Sequence, residues 1–269
     1  MTLREAAALL RAVGCEDAMP SARALFRHVA ACSDTDLFGG DPSCDDPALI
    51  DAIHRRAAGE PVAYLIGYTD FFRERYRVTP DVLIPRPETE LLVEYAVAHL
   101  REGARILDLC TGSGCIGLSV LANTKDTRAT LADLSDGALR VARQNADSLG
   151  LSSRATIVKS DVRCEVVDGR FDAILSNPPY VSDAVYPTLC RDIFFEPAMA
   201  FVGGEDGMDF YVAILRGYAD RLTEDGFFAF EIGYDQGEHI VALARAYGFT
   251  ATLTKDLAGH DRLAILRRT

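Results

Sequence analysis

The chain has 269 residues, of which 49% are hydrophobic and 25% are charged. This composition is typical of a globular protein and excludes disorder, collagen-like repeats and coiled coil as the main architecture. The net charge of −12 disfavours non-specific nucleic-acid binding, which depends on neutralising phosphates with Lys and Arg. A defined RNA or DNA target remains open.

The cysteine pattern and the N-terminus favour a reducing compartment. Seven cysteines lie far apart and form no Cys-x-x-Cys pair, which disfavours a disulfide framework or a zinc site. Arg4, Glu5 and Arg11 interrupt the first apolar run, unlike a signal peptide, and no stretch reaches the ~18 apolar residues of a membrane span. We therefore expect a cytoplasmic protein that does not contact a membrane, with reduced thiols.

Residues 1–68 predict a small helical domain. Two apolar sets recur at helical spacing, namely Leu3, Leu10 and Val13, and then Leu25, Phe26 and Val29. Asp46 followed by Pro47 predicts the start of a further helix, with Ile50, Ile53 and Ala57 as its apolar stripe and Gly59 as its end. The domain carries no visible chemistry, so it either packs only or docks a protein partner.

The remaining residues change from a hairpin to an α/β pattern. Residues 69–85 alternate aromatic and β-branched with polar residues and predict a two-stranded hairpin that links the domains. Residues 86–269 predict seven strands, over 104–110, 128–134, 155–161, 171–176, 226–232, 249–255 and 262–267. Helical segments separate the first five strands, which indicates a mainly parallel sheet covered by helices. The last two strands are joined by a short turn and are expected to pair antiparallel.

A glycine loop follows the first of these strands. Gly112, Gly114 and Gly117 fit the pattern G-x-G-x-x-G, which lets backbone approach a ligand closely. Asp133 follows Gly112 by 21 residues, at the end of the next strand, where a carboxylate can accept hydrogen bonds from ribose hydroxyls. This pattern alone is compatible with a dinucleotide, with S-adenosylmethionine, or with a purely structural turn.

Asp108 favours S-adenosylmethionine among these alternatives. It precedes the glycines, where its charge would suit the ammonium and sulfonium groups of this ligand and would oppose a pyrophosphate.

A second motif follows the predicted strand 171–176. Asn177, Pro178, Pro179 and Tyr180 lie beyond the carboxyl end of that strand, on the edge of the sheet where ligands bind. Two prolines remove two N–H donors, which leaves the Asn177 side-chain oxygen and the Pro178 carbonyl as acceptors. Tyr180 adds a flat ring. Together they can hold a planar NH2 group, although a strand-terminating turn would carry the same residues.

With both motifs present, the sequence resembles the class I S-adenosylmethionine-dependent methyltransferases, and among them the peptide chain release factor glutamine methyltransferases. The resemblance covers nearly the whole chain. Its signatures lie at residues 61–67, 83–90, 196–197, 203–207, 231–233 with Gln236, and 255–259 with Arg262. Cys110 departs from the family, which usually has glycine at this position.

The resemblance implies a fold, an activity and a set of site residues. The fold is a Rossmann-like seven-stranded sheet with an antiparallel last strand in residues 86–269, preceded by the helical substrate-docking domain 1–68 and the hairpin linker 69–85. The activity is methyl transfer from S-adenosyl-L-methionine to N5 of the glutamine in the Gly-Gly-Gln motif of release factors. No metal is expected, because none of the five histidines stands at metal-ligand spacing, and we expect a monomer without direct nucleic-acid contact.

By the same resemblance, the cofactor contacts are Asp108, Cys110, Thr111, Gly112, Ser113, Gly114, Asp133, Asp161, Val162 and Asn177. Residues 110–114 line its methionine portion, Asp133 holds ribose, and Asp161 with Val162 flanks adenine. Asn177, Pro178 and Tyr180 are the expected catalytic residues, and with Pro179 they bind the substrate.

Three other functions remain as alternatives. One is a related enzyme that methylates glutamine in a ribosomal protein. Another is an enzyme that acts on adenine N6 of a flipped-out base, whose NH2 group would suit the same motif. The third is a non-catalytic cofactor-binding module with an adaptor domain, against which the intact Asn177 motif argues.

Overall fold

The computed structural model describes all 269 residues, and their contacts divide the chain into two units. The first unit comprises Met1–Tyr68 and Cys190–Phe195, and the second comprises Thr69–Leu189 and Glu196–Thr269. The division into 1–68, 69–85 and 86–269 drawn from the sequence stays a prediction.

The first unit is a bundle of short helices. They are α1 (Leu3–Ala12), α2 (Ala18–Val29), α3 (Asp34–Gly39), α4 (Pro47–Ala57) and α5 (Val62–Ile66). Asp46 caps α4 as predicted, because its side chain accepts a 2.8 Å hydrogen bond from the N–H of Ala48 and Pro47 occupies the first turn. One apolar cluster fills the interior, with Leu3, Leu10, Leu25, Phe26, Leu37, Leu49 and Ile53 among its buried members.

Two residues of this unit, Ile50 and Val13, are less buried than the apolar spacing predicts. The buried face of α4 contains Leu49, at 0% exposure, whereas Ile50 is only partly buried, so the buried stripe is rotated by about one residue. Val13 is 57% exposed because α1 ends at Ala12 and Val13 lies at its cap. The helix boundary, and not hydrophobicity, decides the position of Val13.

A buried arginine holds the first unit together. Arg56 is 8% exposed and forms 2.8 Å ion pairs with Asp17 and Asp192, while its Nε donates to Ser21 at 3.2 Å. Burial disfavours the charged guanidinium and lowers its pKa. The hydrogen bonds to the two carboxylates outweigh this effect, so that the pKa of Arg56 is raised above its ordinary value. The positive charge that Arg56 places on the buried face of α4 is therefore balanced by the two carboxylates.

The second unit has nine strands, the first of which begins one residue earlier at Tyr68, and five α-helices. The strands are β1 (Tyr68–Phe71), β2 (Glu74–Arg77), β3 (Arg105–Leu109), β4 (Arg128–Asp133), β5 (Ala155–Lys159), β6 (Phe171–Ser176), β7 (Leu222–Glu231), β8 (Phe249–Lys255) and β9 (Asp261–Arg268). The helices are α6 (Glu90–His99), α7 (Cys115–Asn123), α8 (Asp136–Ser148), α9 (Asp209–Tyr218) and α10 (Gly237–Ala246). β1 and β2 form a separate two-stranded sheet that ends at Arg77, before the predicted end at 85.

The large sheet has the order β5-β4-β3-β6-β7-β9-β8. Its strands pair in parallel from β5 to β7, and β9 pairs antiparallel with both β7 and β8. The predicted fold class, a mainly parallel seven-stranded sheet with an antiparallel last strand, is confirmed.

Alternation along β3 shows how the sheet is buried on both faces. Ile106 packs in a cluster with residues of α6 and α7, whereas Leu107 and Leu109 pack in a cluster with residues of α9 and α10. The carboxyl ends of β3, β4 and β6 lie at one edge, since these strands are parallel neighbours. No helix in the chain has the length and apolar character needed to cross a bilayer.

Candidate active site

The turn between β3 and α7 is built on left-handed backbone. Cys110 has φ 57°, Gly112 has φ 55° and Gly114 has φ 83°. The turn is anchored by hydrogen bonds from the N–H of Thr111 to Ala132 O at 3.1 Å and from the N–H of Gly114 to Thr111 O at 2.8 Å. Because a Cβ disfavours this conformation, Cys110 stands where glycine would be unstrained.

The three glycines of the loop serve different ends. A Cβ on Gly114 would lie 2.9 Å from Leu118 Cδ1, and one on Gly117 would lie 3.1 Å from Asp108 Oδ2, so both glycines permit close packing. A Cβ on Gly112 would meet no protein atom within 4 Å. Gly112 therefore borders open space, and it lines the cavity described below.

The structure places Asp108 beneath the loop. It is 0% exposed, and its Oδ2 accepts hydrogen bonds from the N–H of Gly117 at 3.0 Å and from the Thr111 hydroxyl. Oδ1 has no hydrogen-bond partner. Burial raises the pKa of Asp108 to about 7. Asp108 is absent from the cavity wall and instead fixes the shape of the loop.

Asp133 joins the loop to the end of β4. Its Oδ2 accepts a 2.9 Å hydrogen bond from the N–H of Gly112, and its Oδ1 accepts one of 2.9 Å from the N–H of Ser135. Burial raises the pKa of this carboxyl. The side chain lies in the wall of the cavity.

A cavity of about 250 Å³ opens at this edge of the sheet. Seven of the predicted site residues line it, namely Cys110, Gly112, Asp133, Asp161, Val162, Asn177 and Pro179. Six others do not line it. Tyr180 is half-buried and borders the smaller cavity described below, and the other five, Asp108, Thr111, Ser113, Gly114 and Pro178, are buried. The sequence did not predict the apolar residues that complete the wall, among them Val82, Leu83, Met199, Val202 and Phe210.

Asp161 is fixed by its neighbour Arg163. Its Oδ1 accepts 3.0 Å hydrogen bonds from the backbone N–H and Nε of Arg163, and its Oδ2 accepts one of 2.9 Å from Nη2. The side-chain hydrogen bonds of Arg163 lower the pKa of Asp161. A charged Asp161 lies beside the apolar Val162, which is 7% exposed.

A second, smaller cavity of about 50 Å³ adjoins the first. The two cavities share Leu83, Asn177 and Ala200 in their walls, and Tyr180, Arg86 and Glu231 line only the smaller one. Asn177 therefore borders both spaces.

A hydrogen-bond network supports Asn177 and Tyr180 from below. Asn177 Nδ2 donates to the Thr89 hydroxyl at 3.2 Å, and the Thr89 hydroxyl donates to Glu231 Oε2. The Tyr180 hydroxyl donates to Glu231 Oε1 at 3.2 Å. Glu231 is 3% exposed, and burial raises its pKa. Thr89 and Glu231 lie in the family signatures at 83–90 and 231–233, but no sequence pattern assigned either residue to the site.

The segment 203–207 clamps the backbone of the proline motif. A Cβ on Gly203 would lie 2.5 Å from Pro179 O, and one on Gly207 would lie 2.2 Å from Tyr180 O. Gln236 Nε2 donates to Tyr180 O at 3.1 Å. The two glycines and Gln236 thus hold the motif rigidly. The chain contains no group of three or more His, Cys, Asp or Glu arranged to hold a metal ion.

Comparison with known proteins agrees with this architecture. Residues 87–214 match the family described as methyltransferase small domain, and residues 2–67 match the family described as PrmC N-terminal domain. The solved structure of a methyltransferase from Pyrococcus furiosus shares the fold, with a TM-score of 0.55 at 22% identity over 72% of this chain and 89% of that one.

Two named relatives cover most of the chain. A release factor glutamine methyltransferase from Moorella thermoacetica is 42% identical over 81% of this chain and 78% of its own length. Another from Cereibacter sphaeroides is 39% identical over 98% of this chain and 96% of its own length. The resemblance inferred from the motifs is confirmed, and the chain belongs to the release factor glutamine methyltransferase family.

Proposed function

We propose that this chain transfers a methyl group from S-adenosyl-L-methionine to N5 of the glutamine in the Gly-Gly-Gln motif of peptide chain release factors. The observation that carries the proposal is Asn177, because this residue lines both adjoining cavities and can hold an amide where they meet. The printed names of the relatives supply the substrate class.

The larger cavity suits S-adenosyl-L-methionine. The carboxylate of Asp133 can accept hydrogen bonds from ribose hydroxyls, and Val162 with Asp161 offers a mixed apolar and polar wall for adenine. The open space beside Gly112 leaves room for the methionine portion next to Cys110. When bound, the cofactor supplies an electrophilic methyl carbon on a sulfonium.

The other residues of the loop support this cavity. Thr111, Ser113 and Gly114 are buried behind its wall, and Asp108 bonds to Thr111 and Gly117. We assign these four positions to the shape of the loop, so that their backbone, and not their side chains, serves the cofactor.

The smaller cavity suits a carboxamide. Asn177 Oδ1 accepts no hydrogen bond within the protein, since only Nδ2 is engaged, and can therefore accept one from the glutamine NH2 group. The family resemblance implies the Pro178 carbonyl as a second acceptor, although Pro178 is buried and lines neither cavity. The Tyr180 ring lines the smaller cavity and can lie against the plane of the amide. A neutral amide nitrogen is a weak nucleophile, so orientation by these groups is their main contribution. Asn177 Oδ1 also stabilises positive charge that develops on the nitrogen.

A transfer assay tests the proposal. The purified protein would be incubated with labelled methyl donor and, in separate reactions, with a release factor, a ribosomal protein or duplex DNA. We expect label only on the release factor, lost when the glutamine of its Gly-Gly-Gln motif is changed to alanine. Label on the ribosomal protein or the DNA instead would contradict the proposed substrate.

A further inference from the structure

We propose that Glu231 and Thr89 are positioning residues that set which end of the Asn177 side-chain amide faces the substrate. The inference rests on the proposed function, because it concerns how Asn177 is presented to a carboxamide. It assigns a task to a buried carboxylate that otherwise takes no part in the chemistry.

The strand register brings these residues together. Ser176 on β6 pairs with Phe230 on β7, so Asn177 and Glu231 each follow a paired position on adjacent parallel strands. Thr89, which immediately precedes α6, is 3% exposed and bonds to both of them. The three side chains form one line from the sheet interior to the cavity wall.

The direction of the hydrogen bonds fixes the amide. The Thr89 hydroxyl has a single proton, which it donates to Glu231 Oε2. Its oxygen can then only accept, so Asn177 must present Nδ2 to Thr89 and leave Oδ1 for the substrate. A group in place of Glu231 that donates to Thr89 would allow the hydroxyl proton to bond Asn177 Oδ1. The amide would then turn and direct its NH2 at the NH2 of the substrate.

Glu231 also holds Tyr180, whose side chain lines the smaller cavity. Its Oε1 accepts from the Tyr180 hydroxyl at 3.2 Å, and its backbone carbonyl accepts from the Tyr211 hydroxyl at 2.8 Å. One carboxylate thereby holds the amide through Thr89 and the tyrosine ring directly. Because both oxygens accept, the carboxylate form matches both donors.

Three substitutions separate this task from simple packing. Thr89→Val keeps the shape and removes the hydroxyl, Thr89→Ser keeps the hydroxyl, and Glu231→Gln keeps the volume but introduces a donor. We expect kcat to fall roughly 100-fold in Thr89→Val and Glu231→Gln, the loss typical of a misplaced orienting group. Thr89→Ser should remain within about threefold of wild type, and the dissociation constant of S-adenosyl-L-methionine should change little in all three. Glu224→Gln, an exposed position on the same strand, is the matched control.

A second readout needs neither substrate nor cofactor. The side-chain NH2 resonances of Asn177, identified by their loss in Asn177→Asp, should be protected from hydrogen exchange in wild type and in Thr89→Ser. They should lose this protection or shift in Thr89→Val and Glu231→Gln. Unchanged resonances in Glu231→Gln, or equal loss of kcat in Thr89→Ser and Thr89→Val, would overturn the inference. A wild-type protein that leaves the release factor unlabelled would contradict the proposed function, while the resonances would still decide the orientation of the amide.

Discussion

The backbone N–H of Gly112 donates a 2.9 Å hydrogen bond to Asp133 Oδ2, which ties the glycine loop to the end of β4. The other carboxylate oxygen accepts from the N–H of Ser135, just before α8. One side chain thus connects the loop, a strand end and a helix start in the wall of the larger cavity. Removal of the Asp133 side chain should therefore disturb the larger cavity more than it disturbs the fold.

Asp133→Ala should weaken S-adenosyl-L-methionine binding. It removes both the acceptor for ribose and the anchor of Gly112, and a hydrogen bond to a charged group contributes about 1.5–3 kcal/mol. The dissociation constant should therefore rise at least about tenfold, measured by calorimetry. Asp136→Ala is the control, since Asp136 is exposed, bonds only Lys159 and is absent from the cavity wall. Retained affinity in Asp133→Ala would show that the ribose lies elsewhere.

Asn177→Ala should abolish methyl transfer and largely spare cofactor binding. The substitution removes the side-chain acceptor that the two cavities share, while the carboxylate of Asp133 and the glycine loop remain. Calorimetry with S-adenosyl-L-methionine and the transfer assay should be run on the same preparation. Equal loss of binding and transfer would count against a role in orienting the substrate.

The sheet could be predicted from the sequence because its strands are long apolar runs with glycine or charged boundaries. The strand predicted over 171–176 matches β6, and β7 begins at Leu222, earlier than the predicted 226. That early start includes exposed residues such as Glu224 and Asp225, which pattern alone assigns to a turn. The hairpin was predicted too long, because residues 78–86 leave the strand.

The site was harder to predict where it depends on contacts distant in sequence. Thr89 and Glu231 are 142 residues apart, and no local pattern relates them. The position of Asp108 suggests a ligand contact, but which way its carboxylate turns depends on the close approach of Gly117 on α7. Alternation along β3 places Asp108 on the face of Ile106, which α7 covers. The direction of the Asp108 carboxylate therefore depends on how α7 packs against β3, which the loop motif alone does not show.

Gly207→Ala should destabilise the protein more than Gly248→Ala. Both glycines have left-handed φ values, of 76° and 79°, so both substitutions carry a similar backbone cost of about 1–2 kcal/mol. Only Gly207 has close neighbours. A Cβ at this position would lie 2.2 Å from Tyr180 O and 2.7 Å from Gln236 Nε2, whereas a Cβ on Gly248 would meet no atom within 4 Å. Urea unfolding should show an additional loss of about 1–3 kcal/mol for Gly207→Ala. Similar losses in the two variants would mean that the clamp on the motif is loose.

Substitutions of Cys110 should show how much a side chain at this position of the loop lowers the free energy of unfolding. Its φ of 57° suits glycine, and a β-branched residue tolerates this region least. Cys110→Val should lower the free energy of unfolding by about 1–3 kcal/mol. Cys110→Gly should change it by less than about 1 kcal/mol, because relief of strain offsets the greater freedom of the unfolded chain. A Cys110→Val protein as stable as wild type would contradict the strain assigned to this position.

Asp108 should give the protein a distinctive dependence of stability on pH. Burial raises its pKa to about 7, whereas an aspartate in an unfolded chain titrates near ~3.9. The folded state holds the proton more tightly, so the contribution of Asp108 is fully present below pH ~4 and is lost as the pH rises through about 7. The free energy of unfolding of wild type, taken relative to that of Asp108→Asn, should therefore fall from about pH 4 to about pH 7 and stay constant above about pH 8. Asp136 provides the opposite sign, since Lys159 lowers its pKa and its contribution is lost as the pH falls. Urea unfolding of Asp108→Asn from about pH 4 to 8, and of Asp136→Ala from about pH 5 down to about pH 2, would decide the matter. A free energy of unfolding that differs from wild type by the same amount at every pH for Asp108→Asn would show that its carboxyl titrates normally.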